Sequence, residues 1–141
     1  MIVDDFKEWR LRVRSFLELI PGFRVVAEAA NGLEAIEKAA QLLPDIVLLD
    51  IGMPLLNGIE AAPRIRRASP ESEIIFLTQE HNSEIKAAAL ATGAAAYLLK
   101  STPTCELQRT IESAVLIGIS GERNHSENVM VTTSSSRAYL Q

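Results

Sequence analysis

The fold of this chain is decided by residues 46–58, which read IVLLDIGMPLLNG. Four aliphatic residues lead to Asp50, and the segment that follows, rich in glycine, proline and asparagine, must leave the strand and turn sharply. A short aliphatic run is typical of a strand buried on both faces of a parallel sheet. In an open α/β sheet, ligands bind beyond the carboxyl ends of the strands. The Asp50 carboxylate is therefore predicted to lie where a ligand binds, and there it can act as a nucleophile.

Two further charged positions fall at predicted strand ends. The acid pair Asp4-Asp5 follows a short apolar start, and Lys100 ends the apolar run 96–99. Residues at the carboxyl ends of parallel strands line one edge of the sheet. These acids and this lysine are therefore the candidates to join Asp50 in one site.

Length and composition restrict the class of protein. The chain has 141 residues, 48% hydrophobic and 23% charged, which suits one soluble domain. Its formal net charge of -4 argues against general binding to nucleic acid, because neutralising phosphates requires a basic face. No apolar stretch approaches the ~18 residues of a membrane span, and the start does not resemble a secretory signal. With a single cysteine, Cys105, which cannot form an internal disulfide, the sequence predicts a cytoplasmic protein that does not bind membranes.

Hydrophobic periodicity predicts alternating strands and helices. After the short apolar start, the predicted strands are 24–29, 45–50, 73–78 and 95–99, and the predicted helices are about 6–20, 32–42, 58–68, 83–92 and 103–118. Such alternation implies right-handed crossovers and a parallel sheet covered on both faces. Pro63 lies inside the third helix and is expected to kink it or to delay its start.

The first predicted helix has an apolar and a basic face. The residues expected to point inward are Phe6, Trp9, Val13, Phe16, Leu17 and Ile20, and those expected to form a solvated face are Lys7, Arg10, Arg12 and Arg14. At the second helix, Asn31 with Glu34 three residues later resembles a capping box, which predicts a helix start at residue 32.

In their order along the chain, these features resemble a known family. The acid pair Asp4-Asp5, the turn Asp50-x-x-Met53-Pro54-x-x-Asn57-Gly58, Thr78 and Lys100 are similar to the receiver domain of two-component response regulators, over roughly residues 1–118. The Asn31-Gly32 turn and residues 93–100 resemble most the receivers of LuxR-type transcription regulators. The resemblance implies an α/β, flavodoxin-like (βα)5 fold, a doubly wound parallel sheet with strand order 2-1-3-4-5.

The resemblance also implies a phosphoacceptor site. Asp50 would receive a phosphoryl group from a sensor histidine kinase or a phosphotransfer protein, while Thr78 and Lys100 would bind the phosphoryl oxygens. Mg²⁺, or alternatively Mn²⁺, would neutralise the approaching anions. Its ligands would be the carboxylates of Asp5 and Asp50, Asp4 directly or through water, and the backbone carbonyl of Gly52. The product is an acyl phosphate, so the chain would be a signalling domain with self-catalysed phosphorylation and dephosphorylation only, and not an enzyme.

A switch is implied by the same resemblance. When the Thr78 hydroxyl moves towards the phosphoryl group it vacates space, and Tyr97 rotates inward to fill it, which re-shapes a protein-interaction surface on the fourth helix, fifth strand and fifth helix. A homodimer is compatible with this reading. Residues 119–141 are interpreted as a tail or linker remnant without an output domain, in which residues 129–131 either add an edge strand or stay disordered. These 23 residues are too few for a helix-turn-helix, so direct DNA binding by this chain is not expected.

A few positions depart from the family pattern. Residues 1–3 alone precede the acid pair, which predicts a short first strand, and Gln79 stands where a small residue is usual and is expected to narrow access for phosphoryl donors. Ser101 replaces a proline, so no cis peptide is expected there. Two alternatives therefore stay open. One is a pseudo-receiver that carries no phosphate, and the other is a phosphatase of the haloacid-dehalogenase type, whose pattern has an acid in place of Gly52.

Overall fold

Strands and helices alternate along residues 1–120, the part of the chain that the computed structural model describes. The strands are β1 (Ile2–Val3), β2 (Glu28–Ala29), β3 (Ile46–Leu49), β4 (Glu73–Thr78) and β5 (Ala96–Leu99). The helices are α1 (Lys7–Glu18), α2 (Gly32–Leu42), α3 (Gly58–Ala68), α4 (Ser83–Ala91) and α5 (Thr104–Ser120). The five strands are parallel and form one sheet in the order β2-β1-β3-β4-β5. The α/β, flavodoxin-like (βα)5 fold predicted from the sequence is therefore confirmed.

The central strands bury side chains on both faces of the sheet. On one face, Val47 and Leu49 of β3 belong to a core cluster with buried residues of α2, α3 and α4. On the other face, Leu48 belongs to a second cluster with buried residues of α1 and α5. Because helices cover both faces, β3 is aliphatic at every position, and Asp50 is the first ionisable residue after it.

The strands β1 and β2 are only two residues long. Residues 24–29 are predicted as a strand, yet only Glu28–Ala29 adopt it. β1 offers Ile2 and Val3 as pairing partners for these two residues, so residues 24–27 have no full ladder to join. The predicted short first strand is confirmed, and its brevity explains why the predicted start of β2 is wrong.

Asparagine side chains cap three of the helices. The Oδ1 atoms of Asn31, Asn57 and Asn82 accept hydrogen bonds from first-turn N–H groups of α2, α3 and α4 at 2.9, 2.9 and 2.8 Å. Each bond satisfies a donor that the helix itself leaves unpaired. At α2 the Glu34 carboxylate accepts a further bond from the N–H of Ala30, which completes a variant of the predicted capping box.

The helix termini agree with the prediction at α3 and differ from it at α1 and α5. α3 spans the predicted residues 58–68, so Pro63 does not delay its start. α5 continues to Ser120, beyond the predicted end at about residue 118. Phe6 stands at the N-cap of α1 with extended backbone and is 59% exposed, so the expectation that it points inward is wrong. The rest of the predicted tail, including residues 129–131, lies outside the described residues.

Residues 1–120 contain neither a membrane-spanning helix nor a cis peptide bond. None of the described helices combines the length and the apolar character needed to cross a bilayer. No peptide bond in this part of the chain is cis, which agrees with the expectation at Ser101.

Candidate functional site

Strand ends that are distant in sequence converge on one acidic pocket. Asp4 follows β1 and Asp50 follows the neighbouring β3, and the Asp50 N–H donates to the Val3 carbonyl at 3.0 Å. Lys100 follows β5, and its N–H donates to the carbonyl of Thr78 at the end of β4 at 2.8 Å. Parallel pairing therefore brings together the residues that the strand-end pattern selects.

The Lys100 ammonium lies between two carboxylates. Its Nζ is 2.6 Å from Oδ2 of Asp4 and 3.3 Å from Oδ2 of Asp50. The side chains of Asp4, Asp50 and Lys100 are 2%, 9% and 11% exposed, so water screens these charges weakly. Removing one partner from such a buried group leaves a charge uncompensated.

Each of the two buried carboxylates also accepts a backbone N–H. Oδ1 of Asp4 accepts from Phe6, and Oδ1 of Asp50 accepts from Ile51, both at 2.8 Å. Burial raises the pKa of the Asp4 carboxyl and the nearby Asp50 charge adds to the rise, against the lowering effect of the Lys100 and Phe6 hydrogen bonds. The raised pKa therefore follows chiefly from the loss of hydration of this carboxyl, and the repulsion from Asp50 is a smaller contribution.

The acidic cluster fits a divalent cation. Asp4, Asp5 and Asp50 each offer a carboxylate oxygen, and these oxygens lie within 4.8 Å of one another. Asp5 is exposed while Asp4 and Asp50 are buried, so the cluster opens to solvent on one side. Carboxylate oxygens are the ligands that hard cations such as Mg²⁺ prefer, and a cation would offset the repulsion between the Asp4 and Asp50 carboxylates. Gly52, whose carbonyl is the predicted fourth ligand, lies in the exposed turn after Asp50.

Close backbone packing holds the turn after Asp50. The Gly58 N–H donates to the Ile51 carbonyl at 2.9 Å. A Cβ atom at Gly58 would overlap the carbonyl oxygen of Asp50, so no side chain fits there. Within the same turn, Leu55 adopts a φ of 68° and is 77% exposed. The Asn57-Gly58 pair of the sequence motif is therefore explained by a helix cap and a close approach.

The two predicted switch residues lie on adjacent strands. Thr78 is buried at the end of β4, and its Oγ1 accepts a hydrogen bond from the Glu80 N–H at 3.3 Å. Tyr97 of β5 is 3% exposed, and its hydroxyl donates to the Glu80 carbonyl at 2.6 Å. Burial, followed by the charges of Glu80 and Asp50, raises the pKa of Tyr97. Tyr97 thus occupies the interior in this structure, and its rotation in response to phosphorylation stays a prediction.

Two residues of α1 join the site without having been assigned to it from the sequence. Nη1 of Arg10 donates to the Asp4 carbonyl at 2.7 Å and its Nε pairs with Glu28 at 3.1 Å, so the expected solvated face is wrong for Arg10. The ring centroid of Trp9 lies 5.2 Å from the Lys100 Nζ. In the sequence, the feature that could have pointed to Trp9 and Arg10 is that they lie about one helical turn after the acid pair. Gln79, in contrast, is exposed, and its effect on access to Asp50 stays a prediction.

A doubly wound sheet of this order, with a carboxylate cluster and a lysine at its carboxyl edge, has the architecture of a receiver-type signalling domain. The family model described as "Response regulator receiver domain" matches residues 1–112. This chain belongs to the response regulator receiver family.

Similar proteins agree with this assignment. The chain is 40% identical over 130 residues to the nitrate/nitrite response regulator protein NarP of Escherichia coli (strain K12), which covers 92% of this chain and 58% of NarP. A two-component response regulator of the LuxR family from Aurantimonas sp. SI85-9A1 superposes with a TM-score of 0.77 at 32% identity, covering 92% of each chain. The response regulator domain of Thermotoga maritima CheB gives a TM-score of 0.76 at 33% identity, covering 82% of this chain and 93% of that domain. These matches confirm the resemblance to LuxR-type receivers, and the chain spans about half the length of the curated relatives it matches.

Proposed function

We propose that this chain accepts a phosphoryl group on Asp50 and transmits the event by changing a protein-interaction surface. The supporting observation is that the Asp50 carboxylate stands at the end of β3 with the Lys100 ammonium 3.3 Å from its Oδ2. A carboxylate oxygen of Asp50 attacks the phosphorus and forms an acyl phosphate, while the bond between phosphorus and the leaving group breaks and its electron pair stays with the leaving group. The Lys100 ammonium and the Thr78 hydroxyl then donate to phosphoryl oxygens. Labelling with acetyl phosphate tests this function.

The acidic cluster is proposed to hold Mg²⁺, with Mn²⁺ as a substitute. When bound, the ion supplies positive charge that lets an anionic nucleophile meet an anionic donor. Asp5 and Asp50 would bind it directly, Asp4 directly or through water, and Gly52 through its backbone carbonyl. Asp4 differs from Asp5 because both of its oxygens are already engaged, one by the Phe6 N–H and the other by Lys100.

Asp5→Asn is expected to weaken Mg²⁺ binding more than Asp4→Asn does. Asp5 is exposed and available as a direct ligand, whereas Asp4 must share its oxygens with Lys100. Losing a direct ligand costs more than losing a water-mediated one. Calorimetric titration of Mg²⁺ into the two variants and the wild type ranks them. Equal losses, or a larger loss in Asp4→Asn, would show that the roles of the two acids are exchanged.

The phosphoryl donor is proposed to be a phosphohistidine on a sensor histidine kinase or a phosphotransfer protein. The leaving group is then an imidazole nitrogen, which takes up a proton as it departs. The chain itself is proposed to catalyse only its own phosphorylation and dephosphorylation. The chain spans about half the length of its curated relatives. The phosphorylated surface is therefore proposed to act on another part of a longer protein or on a second copy of the chain in a homodimer.

Transmission is proposed to run through Thr78 and Tyr97. The Thr78 hydroxyl and the Tyr97 hydroxyl both contact backbone atoms of Glu80, so the loop after β4 links the two. A Thr78 hydroxyl that turns to a phosphoryl oxygen gives up its bond from the Glu80 N–H. The loop and the Tyr97 position then adjust together, and the face made by α4, β5 and α5 changes.

Gln79→Ala is expected to speed both the gain and the loss of phosphate at Asp50. The exposed glutamine follows Thr78 directly, where a long side chain obstructs donors and shields the acyl phosphate from water. An effect of about tenfold or less is expected, because ~1.4 kcal/mol of barrier corresponds to a factor of ten. Both rates are measured under saturating Mg²⁺ on the wild type and the variant.

The pseudo-receiver alternative is tested by the same pair of proteins. If neither rate changes, Gln79 does not cover the pocket. If the variant is labelled and the wild type is not, the natural chain is a pseudo-receiver and the proposed phosphoacceptor function is wrong.

A further inference from the structure

The only tryptophan of the chain lies beside the lysine of the site. The Lys100 Nζ is 5.2 Å from the centroid of the Trp9 ring, within the ~6 Å at which an ammonium is attracted to an indole face. The same Nζ lies 2.6 Å from Asp4 Oδ2 and 3.3 Å from Asp50 Oδ2. A lysine ammonium has three N–H donors, so its contacts with two carboxylates leave one direction for the ring.

Trp9 is itself held by the fold. It is half-buried and packs against the core cluster between the sheet, α1 and α5. The next residue, Arg10, donates to the Asp4 carbonyl at 2.7 Å and ties this turn of α1 to the loop that carries the acid pair. The position of the ring is therefore set independently of the long, flexible Lys100 side chain.

We propose that Trp9 is a positioning residue that holds the Lys100 ammonium at the mouth of the acidic pocket while Asp4 and Asp50 engage a cation and a phosphoryl group. This inference rests on the proposed phosphoacceptor function of Asp50. A divalent cation competes with Lys100 for the same carboxylate oxygens, whereas the indole face is a partner that the cation leaves in place. The ammonium then stays within reach of a phosphoryl oxygen instead of moving into solvent.

Two substitutions separate the ring face from simple packing. Trp9→Phe keeps an aromatic face and is expected to label with acetyl phosphate within about twofold of the wild type, while Trp9→Leu keeps apolar volume and is expected to be slowed about fivefold. In a Lys100→Met background, where the ammonium is absent, the same two substitutions are expected to leave the residual labelling rate unchanged, because Trp9 acts through Lys100. A purely structural role would slow labelling in both backgrounds.

Arg12→Met is the matched control. The Arg12 Cζ lies 5.9 Å from the centroid of the same ring, but this exposed arginine makes no contact with the acid cluster among the described residues. Its replacement removes a cation near Trp9 without touching the site. Labelling at the wild-type rate is expected, and a loss equal to that of Trp9→Leu would overturn the assignment to Lys100.

Tryptophan fluorescence gives a second measurement on a chain that keeps Trp9. Lys100→Met is expected to shift the emission of Trp9 without metal, and to remove most of its response to Mg²⁺. An unchanged emission overturns the proposal, as does Trp9→Leu labelling at the wild-type rate or slowing equally in both backgrounds. Failure of the wild type to be labelled contradicts the proposed function of Asp50 instead, so the two failures are distinguishable.

Discussion

Asp50→Asn is expected to abolish phosphorylation of this chain by acetyl phosphate. The neutral amide that replaces the carboxylate is a far weaker nucleophile towards phosphorus, so no acyl phosphate forms at this position. Intact-mass spectrometry in the presence of Mg²⁺ should show one labile phosphoryl adduct on the wild type and none on the variant. The expected loss is complete, because Asp50 is the proposed nucleophile, whereas Lys100 and Thr78 are proposed only to stabilise the transferred group.

Asp45→Asn provides the matched control for this loss. Asp45 is an exposed aspartate immediately before β3, at the opposite end of the strand from Asp50. Its side chain is therefore remote from the acidic pocket, and its replacement should leave labelling at the wild-type level. An adduct of comparable yield on Asp50→Asn would mean that another side chain is the nucleophile.

Gly58→Ala is expected to produce the largest loss of stability among single-methyl additions at the turn. The added Cβ overlaps the carbonyl oxygen of Asp50, and the backbone at this point is fixed by the Gly58 N–H bond to Ile51. Forcing extra volume into such a contact should lower the free energy of unfolding by about 2–3 kcal/mol. Urea denaturation of the two proteins, followed by circular dichroism, measures the difference.

Gly52→Ala, in the same turn, separates crowding from the general effect of replacing a glycine. A Cβ atom at Gly52 would meet no heavy atom within 4 Å, and its φ is not in the left-handed region. Its stability should therefore stay within about 0.5 kcal/mol of the wild type, as is usual for surface substitutions. Equal losses in the two alanine variants would show that the close approach at Gly58 does not matter.

The elements that the sequence predicts well are those whose pattern is set within the element itself. The bounds of β3 and β4 agree closely with the predicted strands 45–50 and 73–78. Burial on both faces of the sheet requires a continuous run of apolar residues, and that run is visible in the sequence of each strand. The start of β2 lacks such a signature, since it depends on how many residues β1 offers for pairing. Phe6 is outward for a similar reason: helical periodicity does not reveal that the helix begins one residue later.

The candidate site divides in the same way. Strand-end positions select Asp4, Asp5, Asp50 and Lys100, and the structure brings them together. The contacts of Trp9 and Arg10 depend on how α1 packs over the sheet, which a pattern of apolar spacing does not specify. An inward tryptophan is predicted as core, yet only the packed structure shows that its ring faces an ammonium.

The position of β1 between β2 and β3 has a consequence for folding. β1 pairs with β3 on one side, so the contact between Ile2 and Leu48 closes a long loop before the sheet is complete. Contacts of high sequence separation form slowly because chain entropy opposes them. Asp4 and Asp50 therefore become neighbours only when this long-range pairing is made, and a cation that requires both carboxylates binds the folded chain and not the unfolded one. Binding of such a cation would therefore stabilise the native strand order relative to the unfolded chain.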